Sequence, residues 1–231
     1  MEEQTSTNEK QLASCIEHTL LDATATSERI EQLCVEATVY GFHSVCVNGR
    51  WVAKAAELLE KSKVAVGGVV SLPLGADTTK IKVAQAKEAI FAGADEIDMV
   101  ADLAAIIEGD LRYFADQLSA VLKVCHSMRP PVLLKVIIES AALNPEQKIF
   151  ACRIAEQVGV DFIKTSTGMN PAGGATPEDV KLMAQTAPKC RIKAAGGIKT
   201  AKQAVEMLNA GAQRIGTSSS VKIIEEFKAE R

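Results

Sequence analysis

Short apolar segments alternate with amphipathic stretches along the whole chain. Four of the apolar segments begin with a glycine that follows an amphipathic stretch: Gly41-FHSVCV, Gly93-ADEIDMV, Gly159-VDFIKTS and Gly211-AQRIGTS. A glycine in that place is typical of a helix C-terminus. The spacings are 52, 66 and 52 residues, so each interval has room for two units of one strand and one helix.

The intervening units are also visible in the pattern. Four further apolar runs supply the alternate strands: Ile16-EHTLL, Val64-AVGGVV, Val132-LLKVIIES and Cys190-RIKAAGG. Helical periodicity is clear at Ile30, Leu33, Cys34 and Ala37. Five residues have the chemistry and position of helix caps, namely Asn144, Thr176, Thr200, Asp77 and Asp110. The chain therefore predicts eight strands alternating with eight helices.

Such alternation predicts an α/β protein with a parallel sheet, and eight units favour a single-domain (β/α)8 TIM barrel. We expect the barrel to occupy residues 16–231, after a polar N-terminal extension or short helix over residues 1–15. An open doubly wound sheet is the alternative, but no early GxGxxG motif supports it.

Composition narrows the class of protein. The 231 residues carry 26 basic and 29 acidic side chains, which argues against a nucleic-acid-binding surface. Uncharged runs are too short to span a bilayer, and the polar, acidic N-terminus is unlike a signal peptide. The six cysteines form no CxxC pair, so we expect reduced thiols and a cytoplasmic location.

The three histidines form no metal-binding motif. A zinc centre is therefore not expected, and the sequence favours chemistry that uses either no cofactor or an organic one.

Charged residues occupy strand positions that a barrel normally fills with apolar side chains. Lys135, Lys164 and Lys193 lie 29 residues apart in successive units, so they should point the same way from adjacent strands. Asp98, with apolar neighbours on both sides, and Glu17 take matching places, which predicts three lysines facing two carboxylates inside the barrel.

Two interpretations of these lysines are open. They point to solvent or form structural ion pairs, or one of them is a nucleophile. A second ammonium nearby and partial desolvation both favour an uncharged amine, which attacks carbonyls and forms a Schiff base. Spacing alone does not rank Lys135 against Lys164.

Glycine-rich segments after the last three strands predict a phosphate site. Glycine lets backbone N–H groups approach an anion, and barrel enzymes often bind phosphate with the loops after strands seven and eight. The candidate residues of this site are Thr167, Gly168, Gly196, Gly197, Lys199, Gly216, Ser218 and Ser219.

At these residues the sequence resembles the deoxyribose-phosphate aldolase family. The most specific matching segments are EIDMV and FIKTSTG, and similar stretches run from residue 17 to about residue 221. The resemblance implies a metal-free class I aldolase, for which no cofactor is expected, that interconverts 2-deoxy-D-ribose 5-phosphate with D-glyceraldehyde 3-phosphate and acetaldehyde.

The resemblance also assigns roles. It implies that Lys164 forms the Schiff base, that Lys193 is the cation that favours its neutral amine, and that Asp98 is the acid and base, working through water. Cys46 corresponds to a pocket cysteine, although a buried apolar thiol is an equal interpretation. Glu17 and Lys135 are expected near the substrate as auxiliary charges.

The sequence departs from the family pattern at several positions, among them Glu17, Asp22-Ala23 and the extra residues Asn170-Pro171. Glu17 stands where the family usually has aspartate, and Asp22-Ala23 where it has Lys-Pro.

Two alternative functions are considered. One is another metal-free Schiff-base or transaldolase-like enzyme that acts on a different sugar phosphate, and the other is a non-catalytic sugar-phosphate-binding barrel. The expected partners are a sugar phosphate and acetaldehyde, with no nucleic acid or membrane, in a homodimer or higher homo-oligomer.

Overall fold

Eight parallel strands close into a barrel in the computed structural model, which describes residues 8–229. Each strand pairs with the next in sequence, and the last pairs with the first. The strands are β1 (Ile16–Leu20), β2 (Ser44–Val47), β3 (Ala65–Val70), β4 (Glu96–Val100), β5 (Leu133–Ile137), β6 (Phe162–Lys164), β7 (Arg191–Ala195) and β8 (Arg214–Thr217). The predicted TIM barrel is confirmed, and the open sheet is excluded.

The strands alternate with helices that form the outer layer. These are α1 (Glu9–Cys15), α2 (Ser27–Tyr40), α3 (Gly49–Leu59), α4 (Thr79–Phe91), α5 (Leu103–Glu108), α6 (Leu111–His126), α7 (Pro145–Val158), α8 (Pro177–Thr186), α9 (Ala201–Asn209) and α10 (Ser220–Ala229). One turn of 3-10 helix, Ser140–Ala142, follows β5.

The number of helices differs from the expected eight, since residues 8–229 contain ten. Helix α1 precedes the barrel, while residues 1–7 of the expected N-terminal extension lie outside the described residues. Helix α5 is an insertion after β4. Asp102 caps its first turn and Gly109 ends it in the left-handed conformation, so that a helix of 6 residues and the 16-residue helix α6 fill one unit.

Helix starts follow the sequence signals in four of five cases. The side chains of Asn144, Thr176, Thr200 and Asp110 each accept a backbone N–H in the first turn of their helix. The assignment of Asp77 as a cap is wrong. Thr78 is the N-cap of α4, and the Asp77 carboxylate instead accepts a hydrogen bond from Gln85 at 3.3 Å.

The hydrophobic core lies between the outer face of the strands and the helices. Ile30, Leu33, Cys34 and Ala37 on α2 are all buried there, as their periodicity predicts. Alternate strand residues point into the lumen, and the register places Lys164 opposite Lys193 and Asp98 opposite Lys135. The fold therefore gathers polar side chains from distant parts of the chain at the barrel axis.

No helix among residues 8–229 is both long enough and apolar enough to cross a bilayer.

Candidate active site

Six charged side chains fill the middle of the barrel and are referred to here as the lumen cluster. They come from five strands, and each residue is at most 2% exposed. The members are Glu17, Glu96, Asp98, Lys135, Lys164 and Lys193. Because an unpaired buried charge is very costly, their mutual contacts decide whether the barrel tolerates them.

Asp98 is the centre of the lumen cluster. Its Oδ2 atom accepts hydrogen bonds from Lys164 Nζ at 2.7 Å and Lys193 Nζ at 2.6 Å. Its Oδ1 atom lies 3.3 Å from Lys135 Nζ. All three predicted lysines therefore point inward and contact one carboxylate, which excludes the alternative in which they face solvent.

Glu17 and Glu96 complete the pairing of the other two amines. Lys135 Nζ lies 2.7 Å from Glu17 Oε2 and 2.5 Å from Glu96 Oε2, and Lys193 also bonds Glu17. Three lysines thus face three carboxylates, and the expected count of two was wrong. Glu96 could have been found, because it lies two residues before Asp98 and so shares its face of β4.

The ion pairs fix the charge of most of the cluster. Burial alone would lower the pKa of Lys193 and of Lys135, but Asp98 and Glu17 outweigh it and hold both values above the usual range. Burial alone would raise the pKa of Asp98, but the three ammonium groups hold it well below normal. Lys193 is consequently a persistent cation, and Asp98 a persistent carboxylate, at neutral pH.

A cavity of about 640 Å³ opens above the cluster at the carboxyl ends of the strands. Lys164 belongs to its lining, whereas Lys135 and Lys193 do not. Barrel enzymes place their reacting groups at this end. The position of the cavity therefore favours Lys164 over Lys135 as the nucleophile, a choice that residue spacing left open.

The predicted phosphate loops converge on the same cavity. Its lining includes seven of the eight candidates, namely Thr167, Gly168, Gly196, Gly197, Lys199, Gly216 and Ser218. Ser219 lies beside them, where its backbone N–H donates to Thr217 Oγ1 at 2.9 Å.

Close packing holds two of these loops together. The N–H of Ala175 donates to the Gly196 carbonyl at 3.1 Å. A Cβ atom on Gly174 would lie only 2.2 Å from that oxygen, so the approach requires glycine. Gly196 and Gly197 have φ angles of 90° and 80°, which also favour glycine.

Glu139 is a buried residue that supports the loop after Lys164. Its backbone is left-handed, with φ at 51°, and its Oε1 atom accepts the Thr167 N–H at 2.7 Å. A non-glycine residue in this conformation stores strain, which is common next to functional sites. Only the alternation of β5 hinted at this inward carboxylate, because the conformation depends on the packed loop.

Three other predicted residues lie beneath the cavity. Cys46, Glu17 and Lys135 are fully buried and are not part of its lining. Cys46 Sγ lies 4.0 Å from Asp98 Oδ2, and burial raises the pKa of the thiol to about 11. The thiol is therefore protonated at neutral pH and lies next to Asp98.

Sequence reasoning missed the side of the cavity formed by β1 and α2. His18, Arg29, Gln32 and Glu36 contribute to this wall, and His18 Nε2 lies 2.7 Å from Glu36 Oε2. A pairing of His18 with Glu36 at a spacing of eighteen residues carries no local signal. Among residues 8–229, no three His, Cys, Asp or Glu side chains are grouped as a metal site.

Comparison with known proteins gives a consistent result across most of the chain. The model of the DeoC/LacD aldolase family matches residues 13–224. Deoxyribose-phosphate aldolase from Thermococcus kodakarensis is 47% identical over 221 residues, covering 94% of this chain and 97% of the relative. Deoxyribose-phosphate aldolase from a Geobacillus species is likewise 47% identical, covering 94% and 96%.

A solved structure shares the same barrel. The tetrameric deoxyribose-phosphate aldolase of Aeropyrum pernix superposes with a TM-score of 0.90 at 32% identity, covering 97% of this chain and 94% of that one.

Proposed function

This chain belongs to the DeoC/LacD family of aldolases, and from that premise we propose that it is a deoxyribose-phosphate aldolase. It reversibly cleaves 2-deoxy-D-ribose 5-phosphate to D-glyceraldehyde 3-phosphate and acetaldehyde. The observation that carries the assignment of the nucleophile is that Lys164 alone among the lumen lysines lines the cavity.

The amine of Lys164 attacks the aldehyde carbon of the open-chain sugar. The proton that Lys164 must lose has an acceptor at hand, because Asp98 Oδ2 lies 2.7 Å from its Nζ and is held ionised. Loss of water from the adduct gives an iminium ion, which withdraws electrons from the neighbouring bonds.

Cleavage then follows from the iminium ion. The C3 hydroxyl gives up its proton, the C2–C3 bond breaks, and its electron pair forms an enamine on Lys164. The hydroxyl carbon becomes the aldehyde of glyceraldehyde 3-phosphate. Protonation of the enamine carbon and hydrolysis release acetaldehyde and restore the amine. We infer that Asp98 accepts and returns the proton through a water molecule.

Lys193 supplies a fixed positive charge beside this chemistry. It donates to the same Asp98 oxygen as Lys164, at 2.6 Å, and Glu17 holds it from the other side. The two amines therefore share one carboxylate oxygen, and the fixed charge of Lys193 lies next to the reacting amine.

The phosphate of the substrate occupies the loops after β6, β7 and β8. This part of the cavity is lined by Gly196, Gly197, Lys199 and Ser218. Glycine-rich loops that precede helices bind anions well, because their N–H groups are unpaired and the helix dipole favours negative charge.

The cysteines and one relative bear on the cellular location and the oligomeric state of the enzyme. All six cysteines are free thiols, as expected in the reducing cytoplasm, where we place the enzyme. The tetrameric relative from Aeropyrum pernix supports a homo-oligomer for this chain as well.

Borohydride trapping tests the proposal directly. Incubation with acetaldehyde and borohydride should add a two-carbon group to the peptide that contains Lys164 and abolish cleavage of deoxyribose 5-phosphate. Lys164→Arg should show no adduct and lose at least ~10³-fold of the activity. Lys148→Arg, at a partly buried lysine outside the cavity, is the matched control. A full-rate Lys164→Arg enzyme, or an adduct with pyruvate in place of acetaldehyde, would contradict the assignment.

A further inference from the structure

The chain that leaves β5 is bonded to the segment that follows Lys164. The N–H of Ser140 donates to the Thr165 carbonyl at 2.9 Å. The side chain of its neighbour Glu139 extends further along the same segment, where Oε1 accepts the Thr167 N–H at 2.7 Å. Two consecutive residues therefore hold the backbone at the start of the loop after β6.

Glu139 occupies this position at a cost to the fold. The residue is 1% exposed, and its Oε2 atom has no hydrogen-bond partner among residues 8–229. Its backbone is left-handed, with φ at 51°. A buried carboxylate with one hydrogen bond is unfavourable, and so is this backbone conformation in a residue other than glycine. Local violations of this kind are expected at functional sites, where stability is not the only requirement.

Thr167, the partner of Glu139, is held from two sides. Its N–H is bonded to Glu139, and its Oγ1 atom accepts the Met169 N–H at 3.0 Å. A threonine hydroxyl also has one hydrogen to donate, and this hydrogen has no acceptor among the described residues. Because Thr167 lines the cavity, its hydroxyl can donate to a bound molecule.

The part of the cavity in which Thr167 lies is the proposed phosphate region. A Cβ atom on Gly168, the next residue, would lie 3.5 Å from Gly196 Cα, so the loop after β6 packs directly against the loop after β7. Hydrogen bonds to a charged acceptor are about twice as strong as those between neutral groups. A phosphate oxygen is therefore the favoured acceptor for the Thr167 hydroxyl.

We propose that Glu139 is a positioning residue for substrate binding, which fixes the Thr167 backbone so that the Thr167 hydroxyl donates to the substrate phosphate. The inference rests on the proposed function. Glu139 is buried and is not part of the cavity lining, so it acts only through Thr167. Its loss should weaken the binding of the phosphorylated sugar and leave the chemistry at Lys164 largely intact.

Steady-state kinetics separate these two effects. Glu139→Ala should raise KM for deoxyribose 5-phosphate about fivefold or more and leave kcat within about twofold. For unphosphorylated deoxyribose, kcat/KM should change by less than about twofold. Glu139→Gln keeps an oxygen that can accept the Thr167 N–H, so its KM should stay within about twofold of the parent value.

Glu139→Gly separates the carboxylate from the left-handed backbone. Glycine adopts a φ of 51° freely and alanine does not, so the glycine variant should have the higher melting temperature of the two. Both variants lack the carboxylate and should show the same rise in KM. A rise in KM that followed the loss of stability, larger in the alanine variant, would make Glu139 a purely structural residue and overturn the inference.

A double-mutant cycle tests whether Glu139 acts through Thr167. Thr167→Val removes the hydroxyl but keeps the backbone N–H, and it should raise KM for deoxyribose 5-phosphate about tenfold. Adding Glu139→Ala to this variant should raise KM little further, because no hydroxyl is left to position. Fully additive rises in KM would contradict the proposal.

Asp110→Ala is the matched control. The Asp110 carboxylate also accepts a backbone N–H, that of Tyr113 at 3.0 Å, but it lies outside the cavity, so KM should not change. An unchanged KM in Glu139→Ala, or equal losses for the two sugars, would overturn the inference, as would failure of both shortened Glu139 variants to fold by circular dichroism. A parent enzyme without turnover would instead remove the proposed function itself, so the two failures are distinguishable.

Discussion

At the scale of single residues, the inward lysines were predictable and their partners only partly so. A spacing of 29 residues in a repeating fold fixed Lys135, Lys164 and Lys193 to one face. Glu96 was overlooked because its position looked like the start of an ordinary strand. The contact of Glu139 with the Thr167 N–H could not be predicted, since it depends on a left-handed backbone that only the packed loop imposes.

Lys82 is a second kind of buried lysine, without a carboxylate partner. Its amine donates to the Val100 carbonyl and to Gln117 Oε1, both at 2.8 Å. Burial lowers its pKa to about 8, although Asp102 and Asp77 oppose the shift. A neutral amine has two hydrogens, which is enough for both acceptors.

This arrangement predicts a pH-dependent stability. The unfolded chain binds a proton at Lys82 up to its ordinary pKa near 10.5, but the folded protein only up to about 8. The free energy of unfolding should therefore rise between pH 8 and pH 10.5, by on the order of 1–3 kcal/mol. Urea titrations across this range should show the rise in the parent and in Lys80→Met, an exposed control on α4.

Lys82→Met should remove that rise. It also leaves the Val100 carbonyl and Gln117 without their donor, so it should cost about 1–3 kcal/mol above pH 10.5, where the parent's amine is neutral, and less at pH 8. If the free energy of unfolding of Lys82→Met rose between pH 8 and pH 10.5 as it does in the parent, a group other than Lys82 would be responsible for the rise.

At the scale of elements, strands and most helix starts followed from the sequence because their signals are local. The capping boxes at Asn144 and Thr200 formed as their residue types predict. The failures also have local causes. Thr78 displaced Asp77 as the cap of α4, and the short helix α5 was obscured because a six-residue helix shows too little periodicity.

The contact between the loops after β6 and β7 gives a prediction at this scale. Gly174→Ala should push its loop away from the Gly196 carbonyl, because the new Cβ would lie 2.2 Å from that oxygen. We expect a loss of about 1–3 kcal/mol in stability and a higher KM for deoxyribose 5-phosphate. Because both loops line the phosphate region, kcat for unphosphorylated deoxyribose should change much less.

Gly49→Ala provides the matched control for the loop contact. Gly49 begins α3, and a Cβ there would meet nothing within 4 Å. This substitution should leave KM unchanged and keep or slightly raise the melting temperature. Equal KM values for the two variants would show that the loop contact does not shape the phosphate region.

At the scale of the whole molecule, the lumen cluster joins five of the eight strands. The number of units predicted the closed barrel, because each strand is a short local signal that repeats. The balance of three cations and three anions could not be predicted in the same way, because it requires the closed barrel to place Glu17 beside Lys135, 118 residues away along the chain.

The cluster should make the barrel sensitive to acid. Burial favours a protonated Glu96, but Lys135 and His43 hold its pKa well below normal. A carboxylate of this kind stabilises the fold above its unfolded pKa near 4.3 and loses that contribution as the pH falls further. The free energy of unfolding should therefore decrease steeply below about pH 4.5.

A variant isolates this contribution. Glu96→Gln should cost about 3–5 kcal/mol at pH 7, since it leaves Lys135 short of a partner, and should flatten the decrease below pH 4.5. The exposed Glu178→Gln should change stability by less than about 0.5 kcal/mol and keep the parental decrease. Acid titrations followed by circular dichroism and by the fluorescence of Trp51 measure both effects, and a parental acid profile for Glu96→Gln would refute them.

The junction between the first and last units has a consequence for the gene. β1 pairs with β8 in the same parallel manner as every other neighbour, and Glu9 on α1 lies 3.3 Å from Lys228 on α10. Because every strand of the closed barrel pairs with its neighbours in the same way, the fold does not require the chain to begin at β1. A circularly permuted gene, in which a flexible linker joins the original termini and new termini lie at the surface near Gly109, should therefore encode an enzyme with the same activity.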